Sequence, residues 1–371
     1  MRVLFTCGGT AGHINPALAV AARLKKEDCN CKILFVGAED RMEMDLVPRE
    51  GYEIKSVKIT NLSRSFSASG ISHNLKTLRN VFYSTAEAKD IIRSFKPDAV
   101  VGTGGYVCFP VLTAASSLHI PTVIHESNAM PGLTTKLLEK KADRILVGFE
   151  HCKEAYKSTD KVIVTGTPVR DGFTGISTET ARKKLGVENK PLVLSVWGSL
   201  GAEYMNEIIL QMIPLLKENQ FQFIHVTGKR YYEEFMSRVA DIQPDYEKYG
   251  LKIVEYLHDM PQVMKASDMI ICRAGASTLA ELTFIGKPSI LIPSPNVTAN
   301  HQEKNARMLE NAGAARVLLE GQFDSEMLYN TILTMVNNRE MLSEMSENAA
   351  SISQADAADR ICDVIHSLVR H

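Results

Sequence analysis

The 371-residue sequence contains no run of about 20 apolar residues, so no segment of it is expected to span a bilayer. Met1-Arg2-Val3-Leu4-Phe5 leads straight into a glycine turn, an apolar stretch too short for a signal peptide. There is no excess charge of either sign. The net charge is −1, so no global field favours nucleic acid, and no nucleic-acid partner is expected. Seven cysteines lie scattered, and the one close pair, Cys29 and Cys31, lacks the second pair that a zinc knuckle needs. Free thiols in a reducing cytosol are the expectation, with any membrane contact peripheral. Asp-x-Asp triplets, Walker loops, HExxH helices and Ser-His-Asp constellations are all missing. The usual carboxylate pair for a nucleotide-bound metal is therefore absent, and neither a protein-ligated metal nor a cofactor is expected. Charge developing on a leaving group would be stabilised by helix N-termini and N–H donors instead.

What the sequence does contain is alternation. Short apolar runs (Arg2–Phe5, Lys32–Val36, Ala99–Val101, Thr122–Ile124, Arg144–Val147) alternate with helix-length amphipathic stretches, the βαβ pattern of a parallel sheet covered on both faces. After Pro191 the pattern restarts with Leu192–Val196, Phe223–Val226, Met269–Ile271 and Ser289–Ile292. Three pieces recur in the same order. Gly8-Gly9-Thr10-Ala11-Gly12 is echoed by Gly198-Ser199-Leu200-Gly201-Ala202, Pro97-Asp98 by Ser267-Asp268, and His119-Ile120-Pro121 by Gly286-Lys287-Pro288. The expectation is two Rossmann-like α/β domains, 1–166 and 167–349, hinged near Gly166–Arg170. A helix over about 350–371 is expected to pack back on the first. A single long α/β domain is the competing reading.

Ligands of open α/β sheets bind at the carboxyl ends of the strands, so the glycine turns are the candidate sites. Gly8–Gly12 follows a strand and opens a helix, where the backbone can approach a bound group and free N–H donors face it. Gly102-Thr103-Gly104-Gly105-Tyr106 forms a second glycine loop. With Gly9, the positions Gly104, Gly105 and Tyr106 suggest a diphosphate on an acceptor. In the second half, Ser199 stands at a strand-to-helix turn, and Arg273-Ala274-Gly275 leads into Ala276, Ser277, Thr278, Leu279, Ala280 and Glu281 on a helix. Glu281 could accept a ribose diol's two hydrogen bonds, or be an ordinary solvated helix residue. His13, at the exit of the glycine turn, is the candidate general base, with a capping histidine as the alternative. His125-Glu126-Ser127-Asn128 is expected to present its polar groups at the rim of a cleft between the halves, and His225 reads as a satisfied core residue.

These residues, in this order, resemble the MurG family of bacterial glycosyltransferases: Gly8–Ala19, Gly104-Gly105-Tyr106-Val107, His125–Asn128, Gly166–Arg170 and Arg273–Glu281. The resemblance spans nearly the whole chain. It implies a GT-B fold, two Rossmann-like parallel-sheet domains facing across a cleft. It also implies an inverting transfer of GlcNAc from UDP-GlcNAc to the 4-hydroxyl of the muramyl sugar of lipid I, giving lipid II. By similarity, Arg170 and the backbone at Leu257 hold uracil, Glu281 the ribose, Ser199 with Ala276 to Thr278 the diphosphate, and Gln302 the GlcNAc hydroxyls. Thr10, Ala11, Gly12 and Asn128 would lie at the junction of donor and acceptor, with His13 as base. The implied setting is peptidoglycan synthesis, and with it cell shape and cell division. The place would be the cytoplasmic face of the bacterial cell membrane, beside an anionic lipid surface and the cell-wall synthesis machinery.

Three positions depart from the family pattern. Ala11 replaces a glycine and restricts its turn, Trp197 replaces a glycine and is expected to set a ring beside the phosphate turn, and His301 stands where some members carry glutamine. Ile71, Leu75, Leu78 and Phe82 recur at helical spacing near Arg64, Lys76 and Arg79, a stripe that could enter a headgroup region or pack on the sheet. The rival readings are a UDP-GlcNAc 2-epimerase-like enzyme of the same fold, a nicotinamide oxidoreductase, and a non-catalytic UDP-sugar sensor.

Overall fold

The structure is a computed structural model. It describes residues 1–59, 68–175, 177–187, 190–198, 201–218, 220–297 and 300–369, with the backbone alone at 68–79, 151, 171 and 218. The chain divides into two compact units. One comprises Met1–Arg170 with Gln354–His371, and the other Asp171–Ser353.

The first unit carries β1 (Arg2–Thr6), β2 (Lys32–Ala38), β3 (Glu53–Val57), β4 (Ala99–Gly102), β5 (Thr122–Glu126), β6 (Arg144–Val147) and β7 (Val162–Val164). They form one parallel sheet in the order β3-β2-β1-β4-β5-β6-β7. The connecting helices are α1 (Ala11–Glu27), α2 (Glu43–Arg49), α3 (Ala68–Phe95), α4 (Cys108–Ser117) and α5 (Leu133–Leu138). Strand side chains alternate between two cores. Val3 and Phe5 face the layer of α1, while Leu4 faces the layer of α3 and α4.

The second unit repeats the plan with β8 (Leu192–Val196), β9 (Gln222–Val226), β10 (Leu251–Val254), β11 (Met269–Cys272), β12 (Ser289–Leu291) and β13 (Ala315–Val317). Its sheet runs β10-β9-β8-β11-β12-β13, again parallel. Its helices are α6 (Thr178–Leu185), α7 (Glu203–Met212), α8 (Tyr232–Ile242), α9 (Met260–Ala266), α10 (Ala276–Phe284), α11 (His301–Asn311), α12 (Ser325–Val336) and α13 (Arg339–Ser351).

The last helix, α14 (Ala357–Val369), packs on α1 of the first unit. Ile361, Cys362 and Ile365 point into the core of Phe5, Ile14 and Leu24. Burying an aliphatic side chain of this size is worth about 1.5–3 kcal/mol. Arg23 pairs with Asp359, and His366 meets Glu27 at 3.0 Å. These half-exposed ion pairs fix orientation more than they stabilise.

One device accounts for the echoed aspartates. Asp98 precedes β4; its carboxylate accepts the N–H of Arg2 at 2.7 Å while its own N–H donates to Arg2 O at 2.8 Å. Asp268, before β11, does the same with Leu192, accepting at 2.7 Å and donating at 2.8 Å. Asp143, before β6, binds Thr122 the same way, at 2.8 and 3.0 Å. Each aspartate pins the start of the neighbouring strand, and thereby its register.

Candidate active site

In both units the strand order reverses at the first strand, between β1 and β4 and again between β8 and β11. Such switch points are where open α/β sheets bind ligands. The glycine turns singled out in the sequence follow these four strands.

In the first unit the two turns interlock. Gly8 N–H donates to Gly104 O at 3.2 Å, and Thr103 N–H to Thr6 O at 3.1 Å. A Cβ on Gly105 (φ +91°) would lie 2.4 Å from Gly8 O, and one on Gly104 (φ +118°) 2.4 Å from the Cδ2 of His13. Side chains are excluded at both positions by contact as well as by backbone conformation. Gly9 also has positive φ, +85°, but faces open space. Ala11 is the first residue of α1 and has no positive φ, so this departure from the family pattern brings no strain.

His13 lies in the first turn of α1. Its Nδ1 is 2.9 Å from Gly8 O and 3.4 Å from Thr10 Oγ1. A carbonyl oxygen only accepts, so Nδ1 carries the hydrogen and Nε2 the lone pair, the form in which imidazole acts as a base. Thr103 Oγ1 donates to His13 O at 2.7 Å, tying the second loop to the first turn of the helix. Thr10 is exposed, Ala11 and Gly12 are half-buried, and Thr10 makes no side-chain cap of α1. The hydroxyl of half-buried Tyr106 is enclosed and has no hydrogen-bond partner among the described residues.

The His125–Asn128 stretch corrects the sequence expectation. His125 is buried, its Nε2–H donating to Gly166 O at 2.8 Å and its Nδ1 lying 3.3 Å from Ser127 Oγ. Burial pushes its pKa down, so it is a neutral internal strut and does not present itself at a rim. Glu126, also buried, accepts the backbone and side-chain N–H groups of Asn128 at 3.1 and 2.9 Å. It accepts Gly132 N–H and Thr135 Oγ1–H as well, both at 2.8 Å. It therefore sets the orientation of half-buried Asn128.

In the second unit Ser199 and Leu200 lie outside the described residues. The ring of Trp197 is buried in the core, with Nε1–H donating to Ser195 Oγ at 3.0 Å; the turn it was expected to flank includes Ser199 and Leu200 and so lies partly outside the described residues. The Ser195 hydroxyl shares a hydrogen bond with Nδ1 of buried His225, also at 3.0 Å. Nε2 of His225 has no partner among the described residues, so this core histidine is only half satisfied. Arg273, after β11, caps the Trp197 ring with its guanidinium 5.8 Å from the ring centroid, pairs with Glu320 and donates to Ile292 O at 3.1 Å.

α10 begins at Ala276, and Gly275 at its N-cap provides no side-chain cap. The first-turn N–H groups of Ala276, Ser277 and Thr278 thus form an anion-attracting end. Buried Asn305 holds the approach to this turn, donating to Ala274 O at 3.1 Å. Leu279 and Glu281 are buried and Ala280 half-buried, and burial sets aside the reading of Glu281 as a solvated helix residue. Gln302 Oε1, in the first turn of α11, accepts Ser294 N–H at 2.9 Å. His301 opens that helix and Leu257 lies half-buried after β10. Arg170 is half-buried and closes the main segment of the first unit.

Of the hydrophobic stripe, Ile71, Leu75, Leu78, Lys76 and Arg79 have undescribed side chains and Arg64 lies outside the described residues. Phe82 is 79% exposed, and Tyr83, Leu133 and Leu137 are exposed too. No described helix is long and apolar enough to cross a membrane. The residue that sequence reasoning missed is Glu43, a buried carboxylate under the first glycine turn. The room left by Gly8 and Gly37 was its only sequence signal.

Residues 3–147 match the glycosyltransferase family 28 N-terminal domain, and residues 192–361 its C-terminal domain. A protein of Acetivibrio thermocellus, a UDP-N-acetylglucosamine–N-acetylmuramyl-(pentapeptide) pyrophosphoryl-undecaprenol N-acetylglucosamine transferase, is 44% identical over 100% of this chain and 99% of its own. One of the same name from Listeria welshimeri is 39% identical, with both chains fully covered. Among solved structures, Acinetobacter baumannii MurG superposes with a TM-score of 0.76 at 29% identity, covering 99% of each chain. A Neisseria meningitidis UDP-GlcNAc 2-epimerase bound to UDP-GlcNAc reaches 0.65 at 17% identity, covering 99% of this chain and 100% of its own, a likeness of fold alone.

Proposed function

The chain belongs to glycosyltransferase family 28, and we propose that it moves N-acetylglucosamine from UDP-GlcNAc to the 4-hydroxyl of N-acetylmuramyl-(pentapeptide) pyrophosphoryl-undecaprenol. The reaction is the step from lipid I to lipid II in peptidoglycan synthesis, with inversion at the transferred carbon. Similarity over the full chain supplies the identity of the substrates. One geometric observation supports the chemistry above the rest: His13 is held through Nδ1 by Gly8 O, which leaves the Nε2 lone pair as the base.

In this reading the hydroxyl oxygen attacks C1 of GlcNAc and its proton passes to His13 Nε2. The C1–O bond to phosphate breaks, and UDP leaves with the electron pair. The N-terminus of α10 with Ser199 takes the diphosphate, Glu281 the ribose, Arg170 and Leu257 the uracil, and Gln302 the sugar hydroxyls. Gly9, Gly104, Gly105 and Tyr106 take the acceptor diphosphate, with Thr10, Ala11, Gly12 and Asn128 between donor and acceptor. The acceptor is lipid-linked, so the enzyme works at the cytoplasmic face of the cell membrane. The exposed Phe82, Tyr83, Leu133 and Leu137 suit such a surface.

Labelled GlcNAc should pass from UDP-GlcNAc to a lipid I analogue and not from UDP-galactose. His13→Ala should abolish turnover while donor binding persists. Equal rates with both donors, or epimerised UDP-sugar formed from donor alone, refute the assignment.

A further inference from the structure

Beneath the first glycine turn lies a carboxylate that the reaction as described does not use. Glu43, the first residue of α2, is completely buried. Its Oε2 accepts the N–H of Gly9 at 3.0 Å and its Oε1 the N–H of Ala38 at 2.9 Å. Each oxygen faces an N–H, so the acceptor-only carboxylate form satisfies both bonds. The site is shaped around this side chain. A Cβ on Gly8 would lie 2.3 Å from its Oε1, and a Cβ on Gly37 2.5 Å from its Cγ.

The two ends of one peptide unit link this carboxylate to His13. The N–H of Gly9 points to Glu43, and the carbonyl of Gly8, in the same peptide plane, accepts Nδ1–H of His13 at 2.9 Å. We propose that Glu43 acts through the Gly8–Gly9 peptide as the orienting partner of His13, a histidine–carboxylate dyad with one amide inserted between its members. Hydrogen bonds in series polarise one another, so a negative charge on the amide N–H makes the carbonyl at its other end a stronger acceptor. That carbonyl fixes Nδ1 as the protonated nitrogen and stabilises the imidazolium formed when Nε2 takes the hydroxyl proton. The proton ends on Nε2, the Nδ1 proton stays on Nδ1, and Glu43 gains none. Glu43 is thus a positioning residue.

The proposal rests on His13 being the base, and a double-mutant cycle separates the two claims. Glu43→Gln keeps the side-chain shape but sets one amide N–H against a backbone donor. It should lower kcat on the order of tenfold to a hundredfold, with the donor KM within about twofold. In a His13→Asn background the same change should leave the residual rate unaltered. Equal losses in both backgrounds make Glu43 a purely structural group and overturn the relay. Wild-type kcat in Glu43→Gln overturns it too, while an inactive His13→Asn beside it preserves the base assignment. Full turnover in His13→Asn brings down the base assignment itself. If Glu43→Gln does not fold, ¹⁵N NMR of histidine-labelled wild-type protein decides, the His13 signal being assigned by its loss in His13→Asn. A proton on Nδ1 and none on Nε2 supports the relay, and the opposite tautomer overturns it.

Discussion

Buried His225 makes the second unit sensitive to mild acid, to a degree the structure allows us to calculate. The imidazole is fully enclosed, between Phe235 at 4.9 Å and Phe223 at 6.5 Å between ring centroids. Burial pushes its pKa down from 6.5 to about 3. The folded-state value is depressed, so between these limits the unfolded chain binds a proton that the folded chain refuses, and stability falls as pH is lowered. Each pH unit well below the unfolded value costs about 1.4 kcal/mol, so going from pH 7 to pH 5 should cost about 2 kcal/mol through this residue. The assay is built in. Trp197 is the sole tryptophan, is buried in the same unit, and is linked to His225 through the Ser195 hydroxyl. Its fluorescence therefore follows unfolding of this unit in urea. His225→Phe shifts the absolute stability in both buffers, but it should remove about 2 kcal/mol of the loss between pH 7 and pH 5. Identical losses in wild type and variant would refute the reasoning.

Two further substitutions probe the first unit. Gly105→Ala brings a Cβ against Gly8 O at a positive φ and should displace the His13 carbonyl partner, lowering kcat by on the order of a hundredfold. Gly51→Ala, between α2 and β3 at φ +81° and facing open space, is the control. It should cost only about 1 kcal/mol of stability in denaturant titration, and equal activity losses in the two would discount the contact. Ile361→Ala on α14 should destabilise the first unit by about 2–5 kcal/mol, read by urea denaturation monitored by circular dichroism. A loss below 1 kcal/mol would mean the helix is not part of that core.

The central strands were legible because burial on both faces leaves unbroken apolar runs, as in Leu4-Phe5 or Ile270-Ile271. The four edge strands, β3, β7, β10 and β13, escaped. Glu53–Val57 is mostly exposed with only Val57 buried, Leu251–Val254 alternates buried and exposed residues over four positions, and Val162–Val164 and Ala315–Val317 are shorter still. The glycine loops stood out because a close approach at positive φ tolerates only one residue type, as at Gly104 and Gly105. Glu43 did not stand out, because its partners are backbone N–H groups, which leave no matching side chain in the sequence.

The return of α14 to the first unit has a consequence for biosynthesis. The helix that closes the Phe5–Ile14–Leu24 core leaves the ribosome only after the whole of the second unit, roughly 180 residues after Arg170. At translation rates of about 5–20 residues per second, that apolar face waits some ten to forty seconds for its cover. The nascent first unit is therefore a natural client for chaperones. Ribosome stalling within the second unit would expose the older unit, whose sheet was already complete, to aggregation.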